Sequence, residues 1–300
     1  MTDPIRPPHI PVMGEEILKS LEGRHVSVVA DGTLGAGGHA RLLLEAHPEI
    51  ELYFGGDQDP TALALAEERL TDLLTTRTVR FTKTNFETLP EILAQEQIRP
   101  TLILLDLGVS SMQLDRPERG FSFQADGPLD MRMDPTGPCT AEEIVMSWSE
   151  EKLRTLFWEY GEESRGRQAA RAIVEARRKQ QIATTAQLVE VLGTALPRRG
   201  PLHPCTKIFQ ALRLAVNDEL TVLERALPAL AKQLAPEGFL MVISFHSLED
   251  RIVKWSFRSI AAEGGYEILT KKPMEPSLEE TRRNRRSRSA KLRILVRTSS

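Results

Sequence analysis

Between residues 31 and 39 the chain reads Asp31-Gly-Thr-Leu-Gly35-Ala-Gly37-Gly38-His39. Backbone N–H groups at a helix start can approach a polar or anionic ligand only where side chains are absent, and Gly35, Gly37 and Gly38 supply that bare stretch. The spacing Gly35-x-Gly37-x-x-Ala40 also satisfies a dinucleotide fingerprint, with Asp57 near the distance at which an acid meets a ribose. The loop therefore reads as a small-molecule cradle that leaves a nicotinamide dinucleotide and S-adenosylmethionine both open. Asp31 tilts that choice. A carboxylate at the tip of the preceding strand crowds a pyrophosphate with like charge, whereas it attracts a sulfonium and an amino-acid ammonium. Asp57 has a second reading, as the N-cap of the helix that Pro60 opens.

A further acid, Asp106, follows the apolar run Leu102-Ile-Leu-Leu105 and leads into Leu-Gly-Val-Ser110-Ser111. Strand ends beside the first strand are where open α/β sheets place their ligands. An exocyclic amine such as that of cytosine has its lone pair delocalised into the ring, so methylating it requires an acceptor that holds the N–H and localises that pair. Asp106 or a nearby backbone carbonyl suits that role, with Ser111 as a second catalytic candidate and Ser110 as a candidate for orienting the base. Asp106 has the alternative of binding the donor. Holding nitrogen, carbon and sulfur in line supplies several kcal/mol of the barrier, so neither a metal ion nor a covalent intermediate is required. Downstream, Ser244 and His246 are candidates for orienting a substrate. Glu249 and Asp250 read as helix-start acids rather than as metal ligands with His246. Asp130, Arg132 and Asp134 form either a closing loop or plain surface.

These residues need rigid elements to hold them. Val26–Ala30, Leu52–Gly56, Val79–Thr82, Thr101–Leu105 and Phe239–Phe245 read as strands, apolar along their length rather than alternating. Helical periodicity falls between them, at 14–21, 39–46, 61–74 and 89–97, which implies a parallel, doubly wound α/β sheet. From about Arg116 a Gly-, Pro- and Asp-rich loop runs to Pro138, and helical spacing dominates 141–192. One long amphipathic helix is expected over 207–234. The chain thus divides into an α/β domain of residues 1–115 and 207–300 and an inserted all-helical domain of residues 116–206.

The chain has 300 residues, 41% hydrophobic and 27% charged, with a formal net charge of -3, which excludes a uniformly basic nucleic-acid binder. RNA contact has to come from local clusters. Residues 281–298 carry eight cations and no acid, among them Arg285, Arg286 and Arg288, and suit a phosphate-binding strip. Arg165, Arg167, Arg171, Arg177, Arg178 and Lys179 form a second basic run in the helical segment, read either as RNA contacts or as a solvated face. Two isolated cysteines and the lack of a long apolar run suggest a cytoplasmic protein with no membrane span, either a monomer or a homodimer.

With these segments in hand the chain resembles the ribosomal RNA small-subunit methyltransferase H family, also called MraW. The resemblance rests on His9-Ile-Pro-Val12, Asp31 to His39, Asp106-Leu-Gly-Val-Ser-Ser-Met-Gln-Leu114, Arg119-Gly-Phe-Ser-Phe123, Asp126 to Asp134, Tyr160-Gly-Glu-Glu163, Ser244-Phe-His-Ser-Leu-Glu-Asp-Arg251 and Arg286-Ser-Arg-Ser-Ala-Lys291. It implies a class I, Rossmann-like methyltransferase domain with S-adenosylmethionine as cofactor. The implied activity is methylation of N4 of a cytidine in the decoding region, on small-subunit (16S) ribosomal RNA or the assembled 30S subunit. Implied donor contacts are Gly37, Gly38, His39, Asp57, Phe86, Asp106 and Gln113. Phe86 offers a flat face for adenine, although without the resemblance it reads as core. The sequence departs from the family at Met112, often proline or histidine, and in a shorter segment after Trp255. Asp106-Leu-Gly-Val also lacks the Pro-Pro-Tyr of N4-cytosine DNA methyltransferases, so that group's catalytic details do not carry over.

Overall fold

The computed structural model describes residues 11–198 and 203–299, so His9 and Ile10 of the first family segment lie outside the described residues. The chain forms two compact units, Met1–Gly108 with Val222–Ser300, and Val109–Thr221.

The first unit is built on a seven-stranded sheet in the order β3-β2-β1-β4-β5-β7-β6. Strands β1 (Val28–Asp31), β2 (Leu52–Asp57), β3 (Val79–Lys83), β4 (Leu102–Asp106) and β5 (Phe239–Ser244) run parallel. Along β4 and β5 alternate residues enter opposite apolar layers: Leu102, Leu104, Met241 and Ile243 face one, and Ile103, Leu105, Leu240 and Val242 the other. This explains the uninterrupted apolar runs, since a strand covered on both faces has no solvent side to make polar. The first layer also takes buried residues of α1 (Gly14–Ser20), α2 (Gly38–Ala46) and α3 (Pro60–Leu74). The second takes α4 (Leu89–Gln95), α11 (Glu219–Gln233) and α12 (Ser247–Ala262). Helices on both faces make the sheet doubly wound. Each fully buried leucine of these layers contributes roughly 1.5–3 kcal/mol.

Neither β6 (Tyr266–Ile268) nor β7 (Lys291–Arg297) was placed from the sequence. β7 is antiparallel to both β5 and β6 and fills the gap between them. Its cations hide it: Lys291-Leu-Arg-Ile-Leu-Val-Arg297 reads as a charged segment, yet Leu292, Ile294 and Leu295 are buried. α13 (Leu278–Arg283) precedes it.

The second unit holds α5 (Ser111–Asp115), α6 (Ala141–Ser147), α7 (Glu150–Glu159), α8 (Gly166–Arg177), α9 (Thr185–Ala195) and α10 (Thr206–Val216). Leu153, Phe157, Ala169, Ile173, Leu188, Leu192, Ile208 and Leu212 are part of one core. Thr140 and Thr184 start α6 and α9 with capping boxes. In the preceding loop Asp130 and Arg132 form a two-pronged ion pair, at 2.8 and 2.7 Å, within the loop itself.

The single helix expected over 207–234 is two helices, α10 and α11. Asn217 ends α10: its amide donates to the carbonyls of Met131 and Arg213 at 2.9 Å and accepts from Met133 N–H at 2.8 Å, and Asp218 then turns left-handed at φ 48°. The apolar spacing continues across this break, which conceals it in the sequence. No helix among the described residues is long and apolar enough to cross a membrane.

Candidate active site

The sheet reverses its winding at β1, whose neighbours are β2 and β4, and the tips of these three strands carry Asp57, Asp31 and Asp106. That point is where an open α/β sheet leaves a crevice. Asp31 is buried and held by its neighbours: it accepts from Thr33 N–H at 3.0 Å and from the Tyr53 hydroxyl at 2.8 Å. Burial raises its carboxyl above the usual range, against the pull of the Thr33 N–H, His39 and Tyr53.

From Asp31 the chain turns under the sheet tips. Gly32 is forced by close approach, because a Cβ there would lie 2.6 Å from Leu105 Cδ2 and 2.8 Å from Phe86 Cβ. Phe86 thus stands beside the loop while packing on the apolar layer that holds α4. Gly35 and Gly37 both adopt left-handed φ, 54° and 73°. A Cβ on Gly37 would press on Ala66 and Leu70 of α3 at 3.3 Å, whereas one on Gly35 would meet only Thr33 O at 3.9 Å. Gly37 is therefore needed for packing, and Gly35 borders open space. Gly38 begins α2.

Asp57 reaches back to this loop, accepting from Gly35 N–H at 2.8 Å and from Asp59 N–H at 2.8 Å. Burial pushes its carboxyl up to about 6. The N-cap of α3 is Asp59, which accepts from Thr61 N–H at 3.0 Å, so that alternative role does not fall to Asp57.

Asp106 is tied to the same turn through its backbone, whose N–H donates to Thr33 Oγ1 at 2.6 Å. Its side chain keeps a quarter of its surface open, yet Oδ1 lies out of solvent with no hydrogen-bond partner among the described residues. Burial, reinforced by the charges of Asp31, Glu249 and Glu280, holds the carboxyl well above the ordinary range. Oδ2 lies 3.8 Å from His39 Nδ1, and the ring's Nε2 is 2.9 Å from the Val12 carbonyl. An orphaned carboxylate oxygen among three acids, next to backbone stripped of side chains, suits a cation with hydrogen-bond donors.

The candidates at the end of β5 have structural partners. Ser244 is buried, its hydroxyl 3.5 Å from the Lys291 carbonyl. His246 caps α12, accepting at Nδ1 from Glu249 N–H at 3.3 Å, while Glu249 Oε2 accepts from Phe245 and His246 N–H. Asp250 is paired with Arg293 at 2.7 Å and with Lys291 at 3.5 Å. One acid near the site has no sequence signal: Glu280 of α13 is buried and accepts from Met13 N–H at 2.8 Å. Its sequence pattern is that of an ordinary first-turn acid behind the Ser277 cap.

In the second unit Ser110 caps α5, its hydroxyl accepting from Gln113 N–H at 3.2 Å, and Gln113 Oε1 accepts from Ser110 N–H at 3.0 Å. Ser111 is the first residue of that helix. Arg285, Arg286 and Arg288 lie exposed on a 3-10 turn over Arg285–Ser289, whereas other cations of the strip serve the fold: Arg293 pairs with Asp250 and Arg297 donates to the Leu234 carbonyl. In the helical run Arg177 is likewise tied to the Val145 carbonyl and Arg171 to Glu175.

The family model described as the MraW methylase family matches residues 6–298. The chain belongs to this family. "Ribosomal RNA small subunit methyltransferase H" of Elusimicrobium minutum is 46% identical over 290 residues, covering 95% of this chain and 97% of the relative. The protein of the same name from Chlamydia trachomatis serovar L2 is 48% identical over 297 residues, covering 98% and 97%. That of Heliobacterium mobile is 43% identical over 309 residues, covering 95% and 97%. For an MraW methylase, the loop of Gly35 to His39 and the acids at three adjacent strand tips lie where a class I fold receives its ligand.

Proposed function

We propose that this member of the MraW methylase family is an S-adenosylmethionine-dependent methyltransferase of 16S ribosomal RNA, acting on the N4 amine of a cytidine in the decoding region. The unpartnered Oδ1 of Asp106 beside the side-chain-free loop carries this reading. The residues fit such a donor: Gly35 leaves room for close backbone approach, and Asp57 presents an acceptor at a strand tip for ribose hydroxyls. The acids around Asp106 favour a positive ligand over a pyrophosphate, which argues against the dinucleotide alternative. Gly37, Gly38, His39, Phe86 and Gln113 complete the proposed donor set.

The donor supplies an electrophilic methyl group on a sulfonium, and the chain supplies position and charge. Asp106 accepts the amine N–H and localises its lone pair, and Ser110 and Ser111 orient the base. The relatives' names support ribosomal RNA of the small subunit as substrate. Arg285, Arg286 and Arg288 hold its phosphates, and the inserted helical domain recognises the surrounding RNA.

Incubation of the purified protein with methyl-labelled S-adenosylmethionine and either naked 16S RNA or unmodified small subunits, followed by nucleoside analysis, tests this reading. Label in N4-methylcytidine is the expected result. Label in another nucleoside, or in none, overturns it.

A further inference from the structure

His39 is buried and its ring is held between two groups of different kinds. Nε2 lies 2.9 Å from the Val12 carbonyl oxygen, which only accepts, so Nε2 carries the proton. Burial pushes the imidazole below its ordinary pKa, against the pull of the Val12 carbonyl, Asp31 and Glu280, and so favours the neutral ring. A neutral imidazole protonated at Nε2 has a bare lone pair at Nδ1. That lone pair faces Asp106 Oδ2 at 3.8 Å, about one ångström beyond hydrogen-bond distance. Asp106 thus has one oxygen 3.8 Å from a basic nitrogen and another, Oδ1, with no hydrogen-bond partner among the described residues.

We infer that His39 receives, through Asp106, the proton that the methylated amine gives up. The inference rests on the methyl-transfer reading above and names the proton's destination. Transfer forms a nitrogen–carbon bond and breaks the carbon–sulfur bond, whose electron pair stays on sulfur. The nitrogen is left with one proton too many. Asp106 takes that proton, and rotation of its carboxyl group, soft about this terminal torsion, presents the O–H to His39 Nδ1. Asp106 is then ionised again, and the imidazolium later loses its proton to solvent.

Charge balance favours this route. The groups facing His39 and Asp106 are Asp31 of β1, Glu249 of α12 and Glu280 of α13, all acids. When a sulfonium becomes a neutral thioether, this cluster loses a counter-charge. A protonated His39 restores it. A purely structural His39, stapling Val12 to α2, would account for Nε2 but not for an unprotonated nitrogen 3.8 Å from Asp106 Oδ2.

The test is His39→Gln, because a glutamine amide nitrogen reaches the position of Nε2 and keeps the Val12 bond while removing the basic Nδ1. The thermal midpoint should stay close to that of wild type, while single-turnover methyl transfer at saturating S-adenosylmethionine slows roughly hundredfold. The wild-type rate should rise with pH along a limb that the variant lacks. Independently, 15N spectra of histidine-labelled wild-type protein, free of donor and RNA, should show His39 protonated at Nε2 alone. A proton on Nδ1, or a wild-type rate in His39→Gln at saturating donor, would overturn the relay. Failure of the wild-type protein to bind S-adenosylmethionine would overturn the proposed function and the relay with it, whatever the tautomer.

Discussion

The carboxylate of Asp57, at the tip of β2, accepts a hydrogen bond from the backbone N–H of Gly35 at 2.8 Å and so fixes the glycine loop that follows β1. One side chain therefore shapes the loop and presents charge at its edge. Burial raises its carboxyl from 3.8 to about 6, so the folded protein holds this proton more tightly than the unfolded chain does. The sign follows: its stabilising contribution is complete below about pH 4 and is lost as pH rises through about 6. Ligand binding runs the other way, because an ionised carboxylate is the better acceptor for hydroxyls. S-adenosylmethionine affinity should increase across pH 5 to 7 in the wild type, as read by calorimetry. Asp57→Asn should bind roughly tenfold more weakly with no such rise, since an amide NH2 would oppose one of the two backbone donors. An unchanged pH dependence in Asp57→Asn would remove the residue from the donor site.

Asp106 is costly to the fold and useful to the chemistry. Its Oδ1 lacks a partner and three acids raise its carboxyl. Asp106→Asn, equal in size and uncharged, should leave the melting temperature at pH 8 equal to or above that of wild type while slowing methyl transfer by roughly 10²–10⁴. Differential scanning fluorimetry and a single-turnover assay read the two effects. A lower melting temperature would show that the acid is structural.

The two left-handed glycines of the loop should separate by substitution. At both, alanine pays about 1 kcal/mol for positive φ. Gly37→Ala also drives a Cβ to 3.3 Å from Ala66 and Leu70, whereas Gly35→Ala meets nothing nearer than 3.9 Å. Gly37→Ala should therefore show the larger fall in denaturant midpoint. Gly35→Ala should fold nearly normally and lose donor binding, because its methyl occupies the open space. Equal donor binding in Gly35→Ala and wild type would place the ligand elsewhere.

The arginine-rich segment combines two physical roles. Arg293 is 6% exposed and paired with Asp250 at 2.7 Å, so Arg293→Ala leaves a part-buried carboxylate with the longer contact to Lys291, 3.5 Å, and should cost about 1–3 kcal/mol in urea unfolding. Neutralising Arg285, Arg286 and Arg288 together should leave stability and donor affinity unchanged and lower the salt slope of RNA binding by up to about three. An unaltered slope would remove the turn from the RNA interface.

Much of this architecture was legible in the sequence, where the physics acts locally. Strands β1, β2, β4 and β5 announce themselves because burial on both faces leaves no polar position, and Asp31, Asp57 and Asp106 follow directly from where those strands end. What was not legible depends on partners distant in sequence. β7 looks like a charged strip because Arg293 is neutralised by Asp250, 43 residues earlier. The break at Asn217 and Asp218 is set by contacts to Met131 and Met133. Glu280 reaches the N–H of Met13 across 267 positions, and no local pattern marks it. The sequence also could not assign the nitrogens of His39, which the Val12 carbonyl decides.

The central claim is that acids at neighbouring strand tips accommodate a positively charged methyl donor. Titration calorimetry in buffers of differing ionisation enthalpy measures it directly, by counting protons exchanged on binding S-adenosylmethionine and its neutral product S-adenosylhomocysteine. With Asp106 held toward its protonated form by burial and by the charges of Asp31, Glu249 and Glu280, the cationic ligand should expel a proton that the neutral one leaves in place. Identical proton counts for the two ligands would contradict the account.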